Sequence, residues 1–130
     1  MGLPYSDNVK LLDAITADVA AVTALGTNTL DVSKRQLRSI QFVCASHTSG
    51  NGVFTVYVSN DGTNWVQYNR LTDNVVNAIA EGDVRVASCT LNSNSNKIYF
   101  FPAGDYFRYI GVACDVTTDG AYSAILEAAG

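Results

Sequence analysis

The single histidine, His47, stands directly before a Thr-Ser-Gly-Asn-Gly stretch. Histidine catalysis needs a nucleophile and an orienting carboxylate within reach. No such pattern surrounds His47, so a loop-surface histidine is expected. Asn60-Asp61-Gly62-Thr63-Asn64 crowds oxygen-bearing side chains into one short stretch. Calcium favours several carboxylate and carbonyl oxygens, but this stretch has one carboxylate and lacks the later positions of an EF-hand loop, so a hairpin turn is expected. Glycoside hydrolysis needs a pair of carboxylates, which any two strands can bring together. Here Asp61, Asp73, Asp83, Asp105 and Asp119 sit at turns, where solvation and capping account for them. Cys44, Cys89 and Cys114 are odd in number and widely spaced, with no CxxC pair for zinc. Each lies in an apolar run and is read as a buried small hydrophobe. GxSxG, HExxH, P-loop and GxGxxG patterns are missing. No catalytic, cofactor-binding or metal-ligating residue is assigned, no cofactor is expected, and the expectation is a protein that is not an enzyme.

Two further groups invite a binding role. Lys34, Arg35 and Arg38 cluster in a chain whose net charge is -4. A phosphate backbone requires a longer basic stripe, so nucleic acid is not an expected partner and the trio is read as a solvated strand start. Tyr57, Trp65, Tyr68, Tyr99, Phe100, Phe101, Tyr106, Phe107, Tyr109 and Tyr122 are many aromatics for this length. A sandwich core uses aromatics heavily, a subunit interface uses them too, and exposed ones can stack sugars. Core packing is the main expectation, with a glycan platform as the competing use.

The elements that would position these groups read as strands. Ile40, Phe42 and Cys44 alternate with Ser39, Gln41 and Val43. Phe54, Val56 and Val58 alternate with Thr55, Tyr57 and Ser59. Tyr106, Ile110, Val112, Cys114 and Val116 would share one face of a long strand, interrupted at Arg108, and Tyr122, Ala124 and Leu126 line the last. Period-two alternation marks half-buried strands. Ser49-Gly50-Asn51-Gly52, Asn60-Asp61-Gly62, Pro102-Ala103-Gly104-Asp105 and Asp119-Gly120 supply the turns, since these residues adopt turn dihedrals at little steric cost. About eight strands result, over 9–16, 28–33, 38–46, 53–59, 65–69, 84–91, 97–101 and 105–116, with 121–128 as a ninth. The fold class is all-β, a two-sheet antiparallel sandwich of jelly-roll type. From Val9 to Leu25 the apolar residues Val9, Leu12, Ile15, Val19, Val22 and Leu25 are spaced by three or four, which also fits a helix capped by Asp7 and ended by Gly26. A strand followed by a loop or one short helix is favoured there, and another short helical turn is expected at Asp73–Ala80.

Bulk properties fit one folded unit. The chain has 130 residues, 48% hydrophobic and 15% charged, a balance opposite to that of disordered chains. It is taken as one domain over 1–130, with 1–10 as an extended N-terminal arm. No apolar run reaches the ~18 residues that span a bilayer. No charged-then-apolar leader opens the chain. A soluble chain made in a cytoplasm, with no membrane partner, is expected.

Two stretches carry a family signature. Leu11-Leu12-Asp13-Ala14-Ile15-Thr16-Ala17 leads through Thr29-Leu30-Asp31-Val32-Ser33 to Phe54-Thr55-Val56-Tyr57-Val58-Ser59-Asn60-Asp61-Gly62-Thr63-Asn64-Trp65. Tyr106-Phe107-Arg108-Tyr109-Ile110-Gly111-Val112-Ala113 then precedes the Asp119-Gly120 turn and Ala121 to Ala128. Together they resemble the small β-sandwich structural proteins of tailed bacteriophages. The chain departs from that pattern in a longer Asp18–Asn28 connection and in Gly111, where a second arginine is common. The resemblance implies a virion component made in the host cytoplasm and located on the capsid surface. More finely, it implies a head decoration (cement) protein that binds and stabilises the major capsid protein shell, as a homo-oligomer and by preference a homotrimer. A host-surface glycan-binding module of a tail or fibre is the alternative.

Overall fold

The computed structural model describes residues 6–73 and 85–129. It contains eleven strands: β1 Ser6–Ile15, β2 Thr29–Asp31, β3 Gln36–Ala45, β4 Gly50–Ser59, β5 Val66–Gln67, β6 Leu71–Asp73, β7 Arg85–Val86, β8 Ser88–Leu91, β9 Ser95–Phe100, β10 Tyr109–Thr118 and β11 Ala121–Ala129. One sheet has the order β1-β11-β3-β9-β6-β7, and the other β2-β10-β4-β5, with β8 also paired to β4. All pairings are antiparallel. Set aside the short inserted strands β5, β6 and β7. The remaining strands form β1-β11-β3-β9 facing β2-β10-β4-β8, so successive strands, apart from the adjacent pair β4 and β8, swap sheets in the double wrap of a jelly roll.

The strand count exceeds the expected eight or nine. The apolar run at 84–91 divides at Ala87, because β7 pairs with β6 in one sheet and β8 with β4 in the other. Leu71–Asp73 adds a strand beside β9. The long strand expected from 105 starts at Tyr109. The helical turn expected at Asp73–Ala80 lies outside the described residues apart from Asp73, which closes β6. Ser6 to Lys10, assigned to an N-terminal arm, pair with Ala129 to Ile125 of β11 instead.

The helix-like spacing at the N-terminus has a strand explanation. Val9, Leu12 and Ile15 lie three residues apart, yet they pair with Leu126, Ala124 and Tyr122, which lie two apart. Register shifts fall between each of these pairs. A bulge inserts one residue into one strand only, so two successive bulges stretch a period of two into a period of three. Ala14 takes φ 50° beside the second shift, and its N–H donates to Ser123 Oγ at 2.8 Å. After β1 the chain runs as a loop without helix, and Val19 exchanges backbone hydrogen bonds with Cys114 at 2.9 and 3.0 Å.

The core lies between the sheets. Ile40, Phe42, Phe54, Val56, Ile110, Val112, Cys114, Tyr122, Ala124 and Leu126 are almost wholly buried. The Phe42 and Phe54 rings meet across the layers with centroids 4.5 Å apart, and Phe54 meets Tyr122 at 5.9 Å. Each such ring removed from water contributes ~1.5–3 kcal/mol. Tyr122 is wedged between two glycines. A Cβ on Gly52 would come within 2.3 Å of its ring, and one on Gly120 within 2.8 Å. The three cysteines are buried and free, as expected.

Candidate functional site

His47 with Asp119, and Asp61 with Trp65 and Asp105, fall at opposite ends of the sandwich, the cysteines lie in the core, and Asp83 lies outside the described residues. At one end, the β3–β4 turn folds over the Asp119 carboxylate. Asp119 accepts from the amides of Thr48 at 3.0 Å and Ser49 at 3.1 Å, and from the Thr48 hydroxyl. The Thr48 hydroxyl first, then these amides, hold its carboxyl down at about 2. His47 Nε2 meets the Gly50 carbonyl at 2.8 Å, and its backbone N–H donates to Asn94 Oδ1 at 2.8 Å. A carbonyl only accepts, so Nε2 carries the proton. His47 is a turn fastener, with its acidic neighbour spent on the same turn.

The opposite end is built from the β4–β5 turn, residues 67–70 and the loop 101–108. Asp61 accepts from Thr63 N at 2.9 Å, Asn64 N at 2.8 Å, Asn64 Nδ2 at 2.8 Å and the Ser59 hydroxyl at 3.0 Å. The Asn64 donors, then Thr63 and Ser59, hold its carboxyl well below the usual range. The carboxylate weighed as a calcium ligand thus closes its own turn. Among the described residues no group of three or more His, Cys, Asp or Glu side chains gathers around one point. Trp65 Nε1 donates to the Gly62 carbonyl at 3.1 Å, and its ring lies 6.3 Å from Tyr109. The Trp therefore covers the turn, half-buried, as the strand-turn-Trp pattern suggests.

Loop 101–108 is fastened from both sides. Phe101 is buried and donates its N–H to the Arg38 carbonyl at 3.0 Å. Gly104 turns the chain at φ 93°. Asp105 Oδ2 accepts from the Tyr68 hydroxyl and from Arg70 Nε, both at 2.7 Å. The Phe107 ring packs on Tyr68 at 5.6 Å, and Arg108 N donates to Asn60 Oδ1 at 3.1 Å. Tyr106, between these anchors, is 84% exposed. The period-two reading placed it on the core face with Ile110. It lies before the strand begins, and the fasteners on Asp105 and Phe107 turn it outward.

Hollows flank Tyr106. One, of about 610 Å³, is lined by Asn60, Asp61, Asn64, Val66, Arg70 and Asp105, among others. The second, of about 590 Å³, carries Lys34, Arg35 and Arg108. Arg108 pairs with Asp31 at 3.5 Å and lies 5.0 Å from the Tyr109 ring centre. Arg38 is outside the lining of that hollow, so the basic trio is only partly brought together. Sequence reasoning missed Tyr106 as an exposed group. The available signal was the Pro-Ala-Gly-Asp turn directly before it.

The thiols offer no nucleophile. Burial pushes Cys114 up to about 12, and it raises Cys89 as well. What both ends display is hydrogen bonding that fixes turns and, at one of them, an aromatic ring held out to solvent.

No protein-family model matches the chain, and no curated protein matches it. Among solved structures, the chain is similar to the SPBc2 prophage-derived protein YomS. The TM-score is 0.54 at 12% identity, over 98% of this chain and 96% of that one. The two share a fold along nearly their whole lengths. A fainter overlap, with a TM-score of 0.32 and 11% identity, covers 97% of this chain and 40% of the VP2 chain of an infectious bursal disease virus subviral particle. That overlap is too weak to bear on fold or function.

Proposed function

We propose that the chain is a non-catalytic structural protein of a tailed-phage virion. More finely, we propose a head decoration protein that docks on the major capsid protein shell as a homotrimer and stabilises it. The observation that carries this reading is the outer face of the β1-β11-β3-β9-β6-β7 sheet. Its cross-strand rows are Asn8-Glu127-Ser39-Phe100-Thr72-Arg85, Lys10-Ile125-Gln41-Ile98 and Ser123-Val43-Asn96. Over β3, β9 and β6 these rows hold no charge, and they leave Ile98 37% and Phe100 43% exposed. A solvated sheet face is ordinarily studded with charges. Uncharged hydrogen-bonding groups around apolar centres suit a face that is covered in an assembly. A fold shared with a prophage-derived protein, and the phage-type motifs at Leu11–Trp65 and Tyr106–Ala128, favour a virion as that assembly. Repeated copies on a symmetric shell work by area and shape, which requires no reactive group.

Sedimentation of purified shells with the added protein tests this reading. Binding that raises the heat resistance of the shells, and that is lost in Phe100→Glu, is expected. Shells that neither retain the protein nor gain heat resistance would overturn it.

A further inference from the structure

We propose that the hollow beside Tyr106 is a saccharide-binding site, in which a pyranose ring stacks on the Tyr106 face while Asn60, Asn64 and Arg70 hold its hydroxyls. The proposal stands apart from the capsid reading, since it concerns the opposite kind of surface at one end of the sandwich.

Three observations support it. The first is display. The Tyr106 ring is 84% exposed, and it is held out by structure. Asp105 is tied to Tyr68 and Arg70, Phe107 is packed on Tyr68, and Arg108 N is tied to Asn60. A ring offered on a fastened loop has already lost most of its freedom, so a ligand gains the stacking without ordering the loop.

The second is lining. The hollow combines Tyr106 and Val66, which is 63% exposed, with the polar groups of Asn60, Asp61, Asn64, Arg70 and Asp105. Sugars present an apolar ring face and a rim of hydroxyls that both donate and accept. Amide, carboxylate and guanidinium groups answer that rim, and an aromatic ring answers the face. A protein-docking patch would be expected to continue as apolar surface. Around Tyr106 the apolar groups of Val58, Val66 and Phe107 are interleaved with hydrogen-bonding side chains.

The third is fixation of those polar groups. Asn60 receives Arg108 N on its Oδ1, which leaves its NH₂ end as a donor. Asn64 gives its Nδ2 to Asp61, which leaves its Oδ1 as an acceptor. The donor is thus set by the loop and the acceptor by the turn. The volume of about 610 Å³ falls within the range of small-ligand pockets, ~300–1,000 Å³.

The test uses the intact chain, isotopically labelled and titrated in solution with the methyl glycosides of glucose, galactose, N-acetylglucosamine and mannose, followed by an array of bacterial and animal oligosaccharides. At least one saccharide is expected to shift amide signals at Asn60–Asn64, Arg70 and 104–107. Tyr106→Ala, which folds because its ring is exposed, should weaken that saccharide roughly tenfold or more, and Tyr106→Phe should retain it. Asn64→Ala should weaken it as well. An array with no binding, shifts confined to other surfaces, or undiminished affinity in Tyr106→Ala would each overturn the proposal. If Tyr106→Ala instead abolishes shell binding while no saccharide binds, the ring serves a protein contact and the saccharide reading fails.

Discussion

Gly52→Ala should destabilise the protein far more than one added methyl group ordinarily would. Gly52 is buried in β4 and is not among the glycines with positive φ, so an alanine there carries no backbone strain. The whole penalty is steric. Its Cβ would stand 2.3 and 2.5 Å from ring carbons of Tyr122, and the ring must retreat by about 1 Å to restore ordinary contact. Retreat is opposed by Gly120, which packs so near the other edge of the ring that it leaves no room for a Cβ, and by the Phe54 ring at 5.9 Å. The Tyr122 hydroxyl is also held by the Asp119 carbonyl at 3.0 Å. Overpacking a filled core costs ~1–3 kcal/mol, and a ring blocked on these sides points to the upper end. That is a fall in Tm of roughly 10 °C for a chain of this size. Urea denaturation and calorimetry measure it. A double-mutant cycle isolates the cause. Tyr122→Leu removes the ring, so Gly52→Ala made in that background should cost ~1–3 kcal/mol less than it does alone. A Gly52→Ala protein within ~0.5 kcal/mol of wild type, or two changes that simply add, would refute the wedge.

Other outcomes follow from the turns, thiols and sheet cover. The folded Asp119 carboxyl lies near 2 against an ordinary 3.8. Its contribution is therefore complete above 3.8 and fades as pH falls toward 2. Acid titration by NMR should show the 47–50 turn loosening over that window, and Asp119→Asn should flatten this part of the stability profile. Cys44, Cys89 and Cys114 are buried, so an aromatic disulfide reagent at mildly alkaline pH should label none until denaturant is added. Fast labelling of the native protein would contradict the packing. Gly111→Arg should lift Val22 from the sheet and open the 18–28 segment to limited proteolysis, whereas the wild type should resist cleavage there.

The last of these shows what one sequence can and cannot reveal. The longer Asp18–Asn28 connection and the glycine at 111 are two departures from the phage-type motif, and the structure makes them one feature. Val22 is buried against the space at Gly111, where a Cβ would meet it at 3.1 Å. Nearby, Asn28 Nδ2 donates to the Val112 carbonyl at 2.8 Å and Val116 N donates to Asp18 Oδ1 at 2.7 Å. The segment covers both the edge and the outer face of β10. That is why Ile110 through Cys114 are buried in succession and not in alternation. Alternation made the inward residues of β3, β4 and β11 legible, because both neighbours of each strand leave its outer face open. It failed at β10, where a loop far away in sequence supplies the cover, and at β1, where bulges imitate a helix period. Asp61 was readable as a turn residue since its partners lie in its own turn, whereas Asp119 was readable only from its own Asp-Gly turn, its partners Thr48 and Ser49 lying 71 and 70 residues away. The display of Tyr106 was hidden in sequence, since it depends on Asp105 reaching Tyr68 and Arg70, which precede it by 37 and 35 residues.

On the function proposed above, this sandwich covers a capsid shell with the uncharged β3-β9 part of the outer face of its larger sheet. Electron cryomicroscopy of shells saturated with the protein tests it most directly. Trimers of sandwich-shaped density are expected on the outer surface, with the β3-β9 face carrying Ile98 and Phe100 against the shell. Bare shells at saturating protein, or sandwiches bound with that face turned to solvent, would contradict it.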